Sequence, residues 1–379
     1  MDLVQRGARN RRTPYYEATQ RHGPKGFTVY NHMYFPIRFD TFEAEFETLL
    51  HDVAIWDVAV ERCLEISGPD GARFAQLLTP RDLSRCAVGQ AKYVLICDRD
   101  GGIINDPVLT RMDETTFWFA LASSDALLFA RGLRNAYPEL DVAIREADVA
   151  PLQVQGPKSR DLMRALVGDS ILDLPYYWWR HAEIRGIPVV ITRTGWTSEV
   201  GYEIYLLDTS KGGQLWETLL EVGRPFGARP TGPSDIRRIE GGIFNWGADM
   251  TYEDNAFEMG LERLVDFGLA DAACLSIAAY RSIRERGVER RIVGVELDGA
   301  PFPALNNVQW PASSGGERVG SVTSAIHSPR LARNIGYCWV PAGLTTHGTR
   351  LEVATEWGDR WATVVAMPFV DPEKRIPVS

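Results

Sequence analysis

Two stretches of the chain share one pattern of apolar and polar positions. Leu64–Leu78 reads L-E-I-S-G-P-D-G-A-R-F-A-Q-L-L, and Leu152–Leu166 reads L-Q-V-Q-G-P-K-S-R-D-L-M-R-A-L. Each starts with the alternation of a strand, breaks at a Gly-Pro pair and continues with apolar residues at helical spacing. Proline is tolerated in the first turn of a helix because the N–H that it lacks would be unpaired there. The pattern predicts an internal repeat in which a strand leads into a helix.

A hairpin pattern follows each copy of the repeat. After the first copy, Lys92–Pro107 turns at a Gly-Gly pair. After the second, Arg193–Tyr205 (R-T-G-W-T-S-E-V-G-Y-E-I-Y) joins the apolar runs Ile187–Thr192 and Tyr202–Leu207, which is typical of a β-hairpin. Each hairpin leads into a further strand and helix. We therefore predict two similar α/β halves related by a pseudo-two-fold axis, with a cavity between them, because ligand sites favour such interfaces.

The pattern changes near residue 280. From Arg290 onward, short strand-like runs alternate with Gly, Pro and Asn, which is typical of a small antiparallel barrel. The predicted fold class is therefore α+β, with two related α/β halves around a central cavity and a C-terminal antiparallel β-barrel. The expected domains are residues 1–280, with the second half starting near residue 146, and residues 286–379.

The N-terminal region carries weaker signals. Residues 1–15 are basic and polar, and we expect them to form a loose arm or a surface wrap. Phe27–Met33, F-T-V-Y-N-H-M, is interpreted as a strand that ends in polar groups. His32 there is either a satisfied histidine at the end of a strand or part of a ligand pocket, because histidine needs only modest surroundings.

Length, charge and cysteine spacing narrow the choice of function. A chain of 379 residues exceeds one core of ordinary size, so two or three domains are expected. The formal charge of −9, without a basic run, argues against a nucleic-acid partner and would attract a cationic small molecule. The apolar runs are too short to span a membrane. Five widely spaced cysteines without a C-x-x-C pair or a signal peptide lead us to expect a reducing cytoplasm.

The second hairpin holds an acidic residue in an apolar strand. Side chains alternate along a strand, so Glu203 and Tyr205 share one face while Tyr202 and Ile204 take the other. A carboxylate is expensive to bury unless it accepts hydrogen bonds, and a solvent-facing Glu203 is the simpler interpretation. The indole of Trp196 and the phenol of Tyr205 favour instead a site for a flat heterocycle rich in N–H groups.

Two further stretches are open to a structural or a functional interpretation. Asp106 precedes Pro107, which cannot donate to a sheet ladder, so the strand is at an edge or bulged there. Taken alone, Asn-Asp-Pro is a common turn composition.

Tyr176–Trp179 places four aromatic residues in a row, which cannot all face one core. They either pack between domains or line a pocket of the kind that receives sulfonium or quaternary ammonium cations.

The motifs of the chain resemble one family of folate enzymes. The Walker loop, dinucleotide fingerprint, zincin helix and nucleophile elbow are all missing, and no metal site is expected. By contrast, four motifs from about residue 13 to 370 are similar, in their order, to the aminomethyltransferase (glycine-cleavage T-protein) family: G-G-I-I-N-D-P, Q-G-P, R-T-G-W-T-S-E-V-G-Y-E-I-Y and V-T-S-A-I-H-S-P-R-L-A-R-N-I-G-Y. The resemblance implies a three-domain clover with folate in its central opening.

Within that family, three stretches resemble the tetrahydrofolate-dependent dimethylsulfoniopropionate demethylases: F-T-V-Y-N-H-M, I-W-D-V-A-V-E-R and I-N-D-P. They depart from the T-protein, whose stretches read like F-A-G-W-E-M-P, F-D-V-S-H-M and an Asp-Asp pair. Asn105 takes the first place of that pair here. The departure argues against a substrate on a lipoyl carrier protein.

The resemblance also implies roles for particular residues. Asp106 matches the acidic catalytic residue at folate N5, and Glu203 matches the acid that grips the pterin. The aromatic residues expected beside the folate are Tyr93, Tyr177 and Tyr205. Those expected to bind the methyl donor are Tyr30, His32, Trp178 and Trp196. Contacts to the polyglutamate tail are not assigned, because the family's R-D-x-L-R-L-E reads S-D-I-R-R-I-E here.

The function that the resemblance implies is transfer of a methyl group from a small onium donor to N5 of tetrahydrofolate. One alternative is the demethylation of an O- or N-methyl compound, which would need acid assistance, for which His32 is the candidate. Another is aminomethyl transfer that releases methylenetetrahydrofolate. A non-enzymatic folate-binding module ranks last, because its K-G-C-Y-x-G-Q-E motif is missing.

Overall fold

The computed structural model describes residues 7–379. Residues 1–6 of the arm expected over residues 1–15 therefore lie outside the described residues. In the remainder, Tyr15 is buried in the core of the second half, and its hydroxyl donates to the Ala150 carbonyl at 2.7 Å. Thr13 is buried as well and donates to the carboxylate of Asp57. This part of the arm is a wrap and is not loose.

Short strands outnumber helices in the described chain. The strands, in chain order, are β1 (Gly26–Tyr30), β2 (Met33–Arg38), β3 (Val53–Asp57), β4 (Cys63–Ser67), β5 (Ala91–Tyr93), β6 (Ile96–Cys97), β7 (Ile103–Asn105), β8 (Val108–Arg111), β9 (Phe117–Ala120), β10 (Ala143–Glu146), β11 (Ala150–Gln155), β12 (Trp179–Ile184), β13 (Ile187–Thr192), β14 (Gly201–Leu206), β15 (Ala228–Pro230), β16 (Arg290–Leu297), β17 (Trp310–Ser314), β18 (Glu317–Ser328), β19 (Arg333–Pro341), β20 (Arg350–Thr355) and β21 (Gly358–Val365). The α-helices are α1 (Tyr16–Arg21), α2 (Phe42–His51), α3 (Gly71–Leu78), α4 (Ala126–Arg134), α5 (Ser159–Val167), α6 (Gly212–Gly223), α7 (Asp235–Glu240), α8 (Ile277–Arg286) and α9 (Arg375–Val378). Short 3₁₀ helices span Asp169–Asp173, Thr209–Lys211, Arg224–Phe226, Glu262–Leu264, Asp271–Ala273 and Ala342–Leu344.

The internal repeat is present as the sequence predicts. β4 leads into α3, and β11 leads into α5. At the break between strand and helix, Gly68 and Gly156 have φ values of +120° and +117°, which residues with a side chain rarely adopt. A Cβ on Gly156 would lie 2.4 Å from the Asp52 carbonyl oxygen, so contact excludes a side chain there as well. The predicted hairpins follow, as β5–β8 around β6–β7 and as β13–β14.

The two halves exchange one strand each. The first sheet has the order β10-β4-β9-β8-β5, and the second has the order β12-β13-β14-β11-β3-β15. β3 precedes the first copy of the repeat but pairs with β11 of the second copy. Conversely, β10 precedes the second copy and pairs with β4 of the first. The predicted boundary near residue 146 therefore separates the two halves in the sequence, but each sheet contains a strand from the other side of that boundary.

Backbone hydrogen bonds also join the far edges of the two sheets. The Ala91 N–H on β5 donates to the Tyr177 carbonyl at 2.7 Å, and the Trp179 N–H on β12 donates to the Gly89 carbonyl at 2.9 Å. The sheets are thus connected through the exchanged strands at one edge and through these bonds at the other. Residues from both halves meet between the two connections.

The C-terminal barrel is confirmed. Its strands run in the order β16-β19-β18-β17-β20-β21, and β21 pairs with β16 to close the ring. β17 was not predicted, because Pro311 at its second position suggests a break. The buried guanidinium of Arg238 on α7 donates to the Ser324 hydroxyl of β18 at 2.9 Å. Its neighbour Arg237 pairs with Glu199 of the β13–β14 loop at 2.6 Å, so α7 joins the barrel to the second half.

The strand expected over Phe27–Met33 is confirmed as far as Tyr30, and the polar residues Asn31 and His32 follow it, but Met33 already begins a second strand. The chain forms the antiparallel hairpin β1–β2 there. Asn31 and His32 make the turn with φ values of +46° and +65°. Asparagine and histidine are enriched among the residues other than glycine that adopt positive φ, so the pair is a turn signal that was not used. The Asn31 amide holds the turn by donating to the Val60 and Leu121 carbonyls, at 3.0 and 3.2 Å.

Neither disulfides nor membrane-spanning helices contribute to the fold of residues 7–379. The cysteines are buried free thiols at positions Cys63, Cys86, Cys97, Cys274 and Cys338. Among the helices that the structure describes, none combines the length and the apolar character needed to cross a membrane.

Candidate active site

Glu203 on β14 is only 4% exposed, so the solvent-facing interpretation of this residue is wrong. Its Oε1 accepts a hydrogen bond from Gln153 Nε2 at 2.7 Å, and its Oε2 accepts from the Thr194 hydroxyl. Burial raises the pKa of Glu203, while the bonds from Thr194 and Thr192 oppose the rise. A carboxylate accepts about four hydrogen bonds, so Glu203 is fixed in position and still has a lone pair for a ligand.

The loop between β13 and β14 is fixed by Gln155 of β11. The Gln155 amide donates to the Thr194 carbonyl at 3.1 Å and accepts from the Thr197 hydroxyl at 2.8 Å. Gly195 and Gly201 close over this side chain, and a Cβ at either position would lie 2.2 Å from it. The two glycines of the hairpin motif are therefore required for the loop to pack on the glutamine.

Asp106 lies where the chain passes from β7 to β8, and the strand is interrupted there as expected. Its Oδ2 accepts from the Tyr93 hydroxyl at 3.0 Å. Burial raises the pKa of Asp106 to about 7, the Tyr93 bond opposes the rise, and the negative charge of Asp249 adds to it. A carboxyl group that titrates near neutral pH is suited to accept a proton during a reaction.

Asn105 next to it has a structural task. The side chain is fully buried. Its Nδ2 donates to the Ala122 carbonyl at 3.0 Å and to the Ser124 hydroxyl at 2.7 Å, and its Oδ1 accepts from the Ala122 N–H at 3.1 Å. An ionised aspartate could not make the two donor bonds. The amide in place of the T-protein's first aspartate is thus explained by the loop that it holds.

Glu61 was not predicted as a site residue, yet its side chain interacts electrostatically with Asp106 and Glu203. Burial raises the pKa of Glu61 well above its usual value, and the negative charges of Glu203 and Asp106 add to the rise. Glu61 lies between β3 and β4, directly after the buried run Val53–Val60. Two sequence signals could have identified it: its position at the end of such a run, and its place as the glutamate of the motif I-W-D-V-A-V-E-R.

Four of the predicted tyrosines surround these carboxylates. Burial raises the pKa of each hydroxyl, and the charge of Glu61, Asp106 or Glu203 adds to the rise in every case. The four residues are Tyr30, Tyr93, Tyr177 and Tyr205. The structure therefore brings residues predicted for the folate and for the donor close to the same carboxylates, in a region between the halves that we call the opening.

The other predicted donor-binding residues face different surroundings, and their roles stay predictions. His32 is exposed in the β1–β2 turn. Trp178 is partly buried against the core of the second half, to which it belongs. The Trp196 ring faces the Arg238 guanidinium at 5.6 Å. Its backbone N–H donates to Gln153 Oε1 at 3.3 Å, so this tryptophan is linked to Glu203 through the Gln153 amide.

A separate polar groove lies between residues 248–258, the end of α8 and the barrel. Its volume is about 840 Å³, and its wall includes Asp249, whose negative charge contributes to the raised pKa of Asp106. None of the residues predicted for folate or donor lines it. No group of His, Cys, Asp or Glu side chains within residues 7–379 is arranged to hold a metal ion.

Two family models together span most of the chain. Residues 15–268 match the GCVT N-terminal domain, and residues 290–371 match the glycine cleavage T-protein C-terminal barrel domain. The two-half fold, its barrel and these matches define an enzyme that transfers one-carbon groups with tetrahydrofolate as its cosubstrate. The chain belongs to the glycine cleavage T-protein (GCVT) family, which confirms the resemblance found in its motifs.

Individual relatives cover almost the whole chain. It is 36% identical to the dimethylsulfoniopropionate demethylase DmdA of Ruegeria pomeroyi, over 94% of this chain and 96% of that protein. It is 30% identical to an aminomethyltransferase of Symbiobacterium thermophilum, over 96% of this chain and 99% of the relative. The crystal structure of the glycine cleavage system aminomethyltransferase T from Bartonella henselae superposes with a TM-score of 0.85 at 22% identity, covering 96% of this chain and 98% of that one. This superposition confirms the predicted fold.

We expect Asn105→Asp to lower the free energy of unfolding by about 2–4 kcal/mol, because it removes two buried donor bonds and buries a charge. Urea unfolding measures the change. Asn135→Asp, at the exposed end of α4, is the matched control and should shift stability by less than about 0.5 kcal/mol. Equal stability of the two variants would show that the Asn105 amide is dispensable.

Proposed function

We propose that this chain is a tetrahydrofolate-dependent demethylase that takes a methyl group from a small onium donor resembling dimethylsulfoniopropionate. The observation that carries the proposal is a group of three acidic side chains from both halves without a counter-charge. Asp106, Glu203 and Glu61 have no ion-pair partner within residues 7–379. A cation bound among them would supply the counter-charge that they lack. The identity of 36% with the R. pomeroyi demethylase supports the same class of donor.

The residues of the opening fit a folate cosubstrate. Glu203 keeps a lone pair for a pterin N–H, and a hydrogen bond to a carboxylate is about twice as strong as one between neutral groups. Tyr93, Tyr177 and Tyr205 supply flat rings beside it. When bound, tetrahydrofolate supplies N5 as the nucleophile that receives the one-carbon group. Glu203 and the tyrosines then orient it, which is the main contribution that a protein makes to such a transfer.

Asp106 is the proton acceptor in this proposal. Its carboxylate takes up the proton released from N5, and the Tyr93 hydroxyl holds the carboxylate in position. No acid is needed at the donor, because an onium methyl leaves behind a neutral thioether or amine. The site therefore needs one general base, a hydrogen-bond acceptor for the pterin and a group that binds the cation.

Aminomethyl transfer that yields methylenetetrahydrofolate is the second candidate, favoured by the identity of 30% with the Symbiobacterium aminomethyltransferase. The bonds of Asn105 to the 122–124 loop weigh against it, because the T-protein has an aspartate at this place. Demethylation of an ether or amine would need an acid at the leaving group. His32, the candidate for that role, is exposed in a turn.

The proposal also includes the binding partners of the enzyme and its cellular compartment. We expect a small-molecule donor and not one held on a carrier protein, because the motifs depart from those of the T-protein. A net charge of −9 without a basic run supports the expectation of no nucleic-acid partner. A reducing cytoplasm is supported by the five buried free thiols.

The pH dependence of turnover tests the role of Asp106. Only the ionised carboxylate accepts a proton, so kcat/KM should rise with pH through about 7 and level off above it. Tyr93→Phe removes a hydrogen bond that favours the ionised form of Asp106, so it should move this rise to higher pH.

Asp106→Asn should lower kcat by about 100-fold or more and leave folate affinity within about threefold. A variant that keeps near-normal kcat would make Asp106 a structural turn residue.

A donor screen tests the proposed reaction. We expect 5-methyltetrahydrofolate and a neutral thioether from dimethylsulfoniopropionate, and little product from a methyl ether, a secondary methylamine or an aminomethyl donor. Chromatography that separates methyl- from methylenetetrahydrofolate gives the readout. Methylenetetrahydrofolate as the main product would establish aminomethyl transfer instead, and product from the ether or amine alone would contradict the onium donor.

A further inference from the structure

The short link between the two sheets carries Glu61. β3 ends in the second sheet at Asp57, and β4 begins in the first sheet at Cys63. The link is a tight turn, in which the Glu61 N–H donates to the Val58 carbonyl at 2.8 Å and the Arg62 N–H donates to the Val60 carbonyl at 3.0 Å. The strand exchange thus places the Glu61 side chain at the junction of the two halves.

Glu61 is the one carboxylate of the opening without a partner. Within residues 7–379 it accepts no hydrogen bond and forms no ion pair. Glu203 is bonded by Gln153, and Asp106 is bonded by Tyr93. The nearest basic residue in the sequence, Arg62, is turned to Glu146 at 2.6 Å and does not compensate Glu61.

Hydrogen bonds bring the Glu61 turn close to residues of both predicted groups. The Asn31 amide, next to Tyr30, donates to the Val60 carbonyl at 3.0 Å and to the Ala122 carbonyl at 3.3 Å, and the Asn105 amide, next to Asp106, donates to the same Ala122 carbonyl at 3.0 Å. The negative charge of Glu61 raises the pKa of Tyr30, predicted for the donor, and that of Tyr205, predicted for the folate, with burial as the main cause in both cases. Asp106 and Glu203 act on Glu61 in turn. Glu61 therefore lies near residues that we expect to contact the donor and residues that we expect to contact the folate.

We propose that Glu61 is the specificity-determining residue that holds the cationic centre of the methyl donor, an inference that rests on the proposed function. A sulfonium or quaternary ammonium centre has no N–H or O–H to donate. It therefore suits a carboxylate that is not organised by hydrogen bonds and acts through charge alone. Partial burial strengthens this attraction relative to bulk water. A neutral donor of equal shape would leave the carboxylate desolvated and unpaired, so the same residue disfavours neutral competitors.

A matched pair of ligands tests this role. In the isostere 4-methylpentanoate, an uncharged CH group replaces the sulfonium sulfur of dimethylsulfoniopropionate, and the rest of the molecule, including the carboxylate, is the same. Binding is measured by calorimetry with folic acid present, because folic acid has no nucleophilic N5 and no turnover occurs. We expect the wild-type protein to bind the sulfonium at least about tenfold more tightly than the isostere, and Glu61→Gln to reduce that ratio below about threefold. Glu61→Asp, which keeps the charge on a shorter side chain, should retain part of the preference.

Two controls make the result decisive. Glu47→Gln, on the exposed face of α2, removes a negative charge outside the opening and should keep the wild-type ratio. Folic acid should bind Glu61→Gln with unchanged affinity, which shows that the variant is folded. An unchanged sulfonium preference in a Glu61→Gln protein that still binds folic acid would overturn the role of Glu61 and leave the demethylase proposal standing. A wild-type protein without any preference for the sulfonium would overturn the onium donor itself.

Discussion

Reciprocal strand pairing between the two halves is the constraint on which the opening depends. β3 is paired to β11 and β10 to β4, so neither sheet is complete without the other half of the chain. Asp106 in the first half and Glu203 in the second are far apart in sequence, and the shared sheets bring them to one opening. Glu61 reaches the same place because the link between β3 and β4 has to cross from one sheet to the other.

The acidic side chains of the opening lower the stability of the empty protein and favour the binding of a cation. Carboxylates withdrawn from water without a counter-charge are unfavourable, and mutual repulsion adds to the cost. In agreement with this cost, burial raises the pKa of Asp106, Glu203 and Glu61. Groups of this kind are concentrated in active sites, where a ligand rather than the protein completes the arrangement. The charge of a bound cation would remove the repulsion that the fold leaves in place.

Local patterns predicted much of the fold. Periodicity and turn residues identified the repeat, both hairpins and the barrel, because each of these depends on neighbours in the sequence. The exchange of β3 and β10 could not be predicted from the sequence, because the pairing of distant strands leaves no periodic pattern. The β1–β2 turn was missed because Asn31 and His32, which take positive φ values without a glycine, were not used as a turn signal, and β17 because Pro311 resembles a break.

The candidate site was predicted less completely than the fold. Asp106, Glu203 and the tyrosines were given roles through the resemblance, whereas Glu61, although it lies in the motif I-W-D-V-A-V-E-R, was given none, because its interaction with Asp106 and Glu203 depends on tertiary contacts. Trp178 belongs to an aromatic run whose packing against the second-half core was left open by the sequence. Whether one side chain of such a run faces a core or a ligand depends on tertiary packing, which alternation along a strand does not determine.

The central claim is that one folate molecule lies between the exchanged halves and contacts an acid from each. A crystal structure of the protein with tetrahydrofolate tests it most directly. The expected result is a pterin within hydrogen-bond distance of Glu203, with N5 next to Asp106 and the space beside Glu61 open for the donor. A folate bound in the groove lined by Asp249 and Arg318, or touching only one half, would contradict the claim.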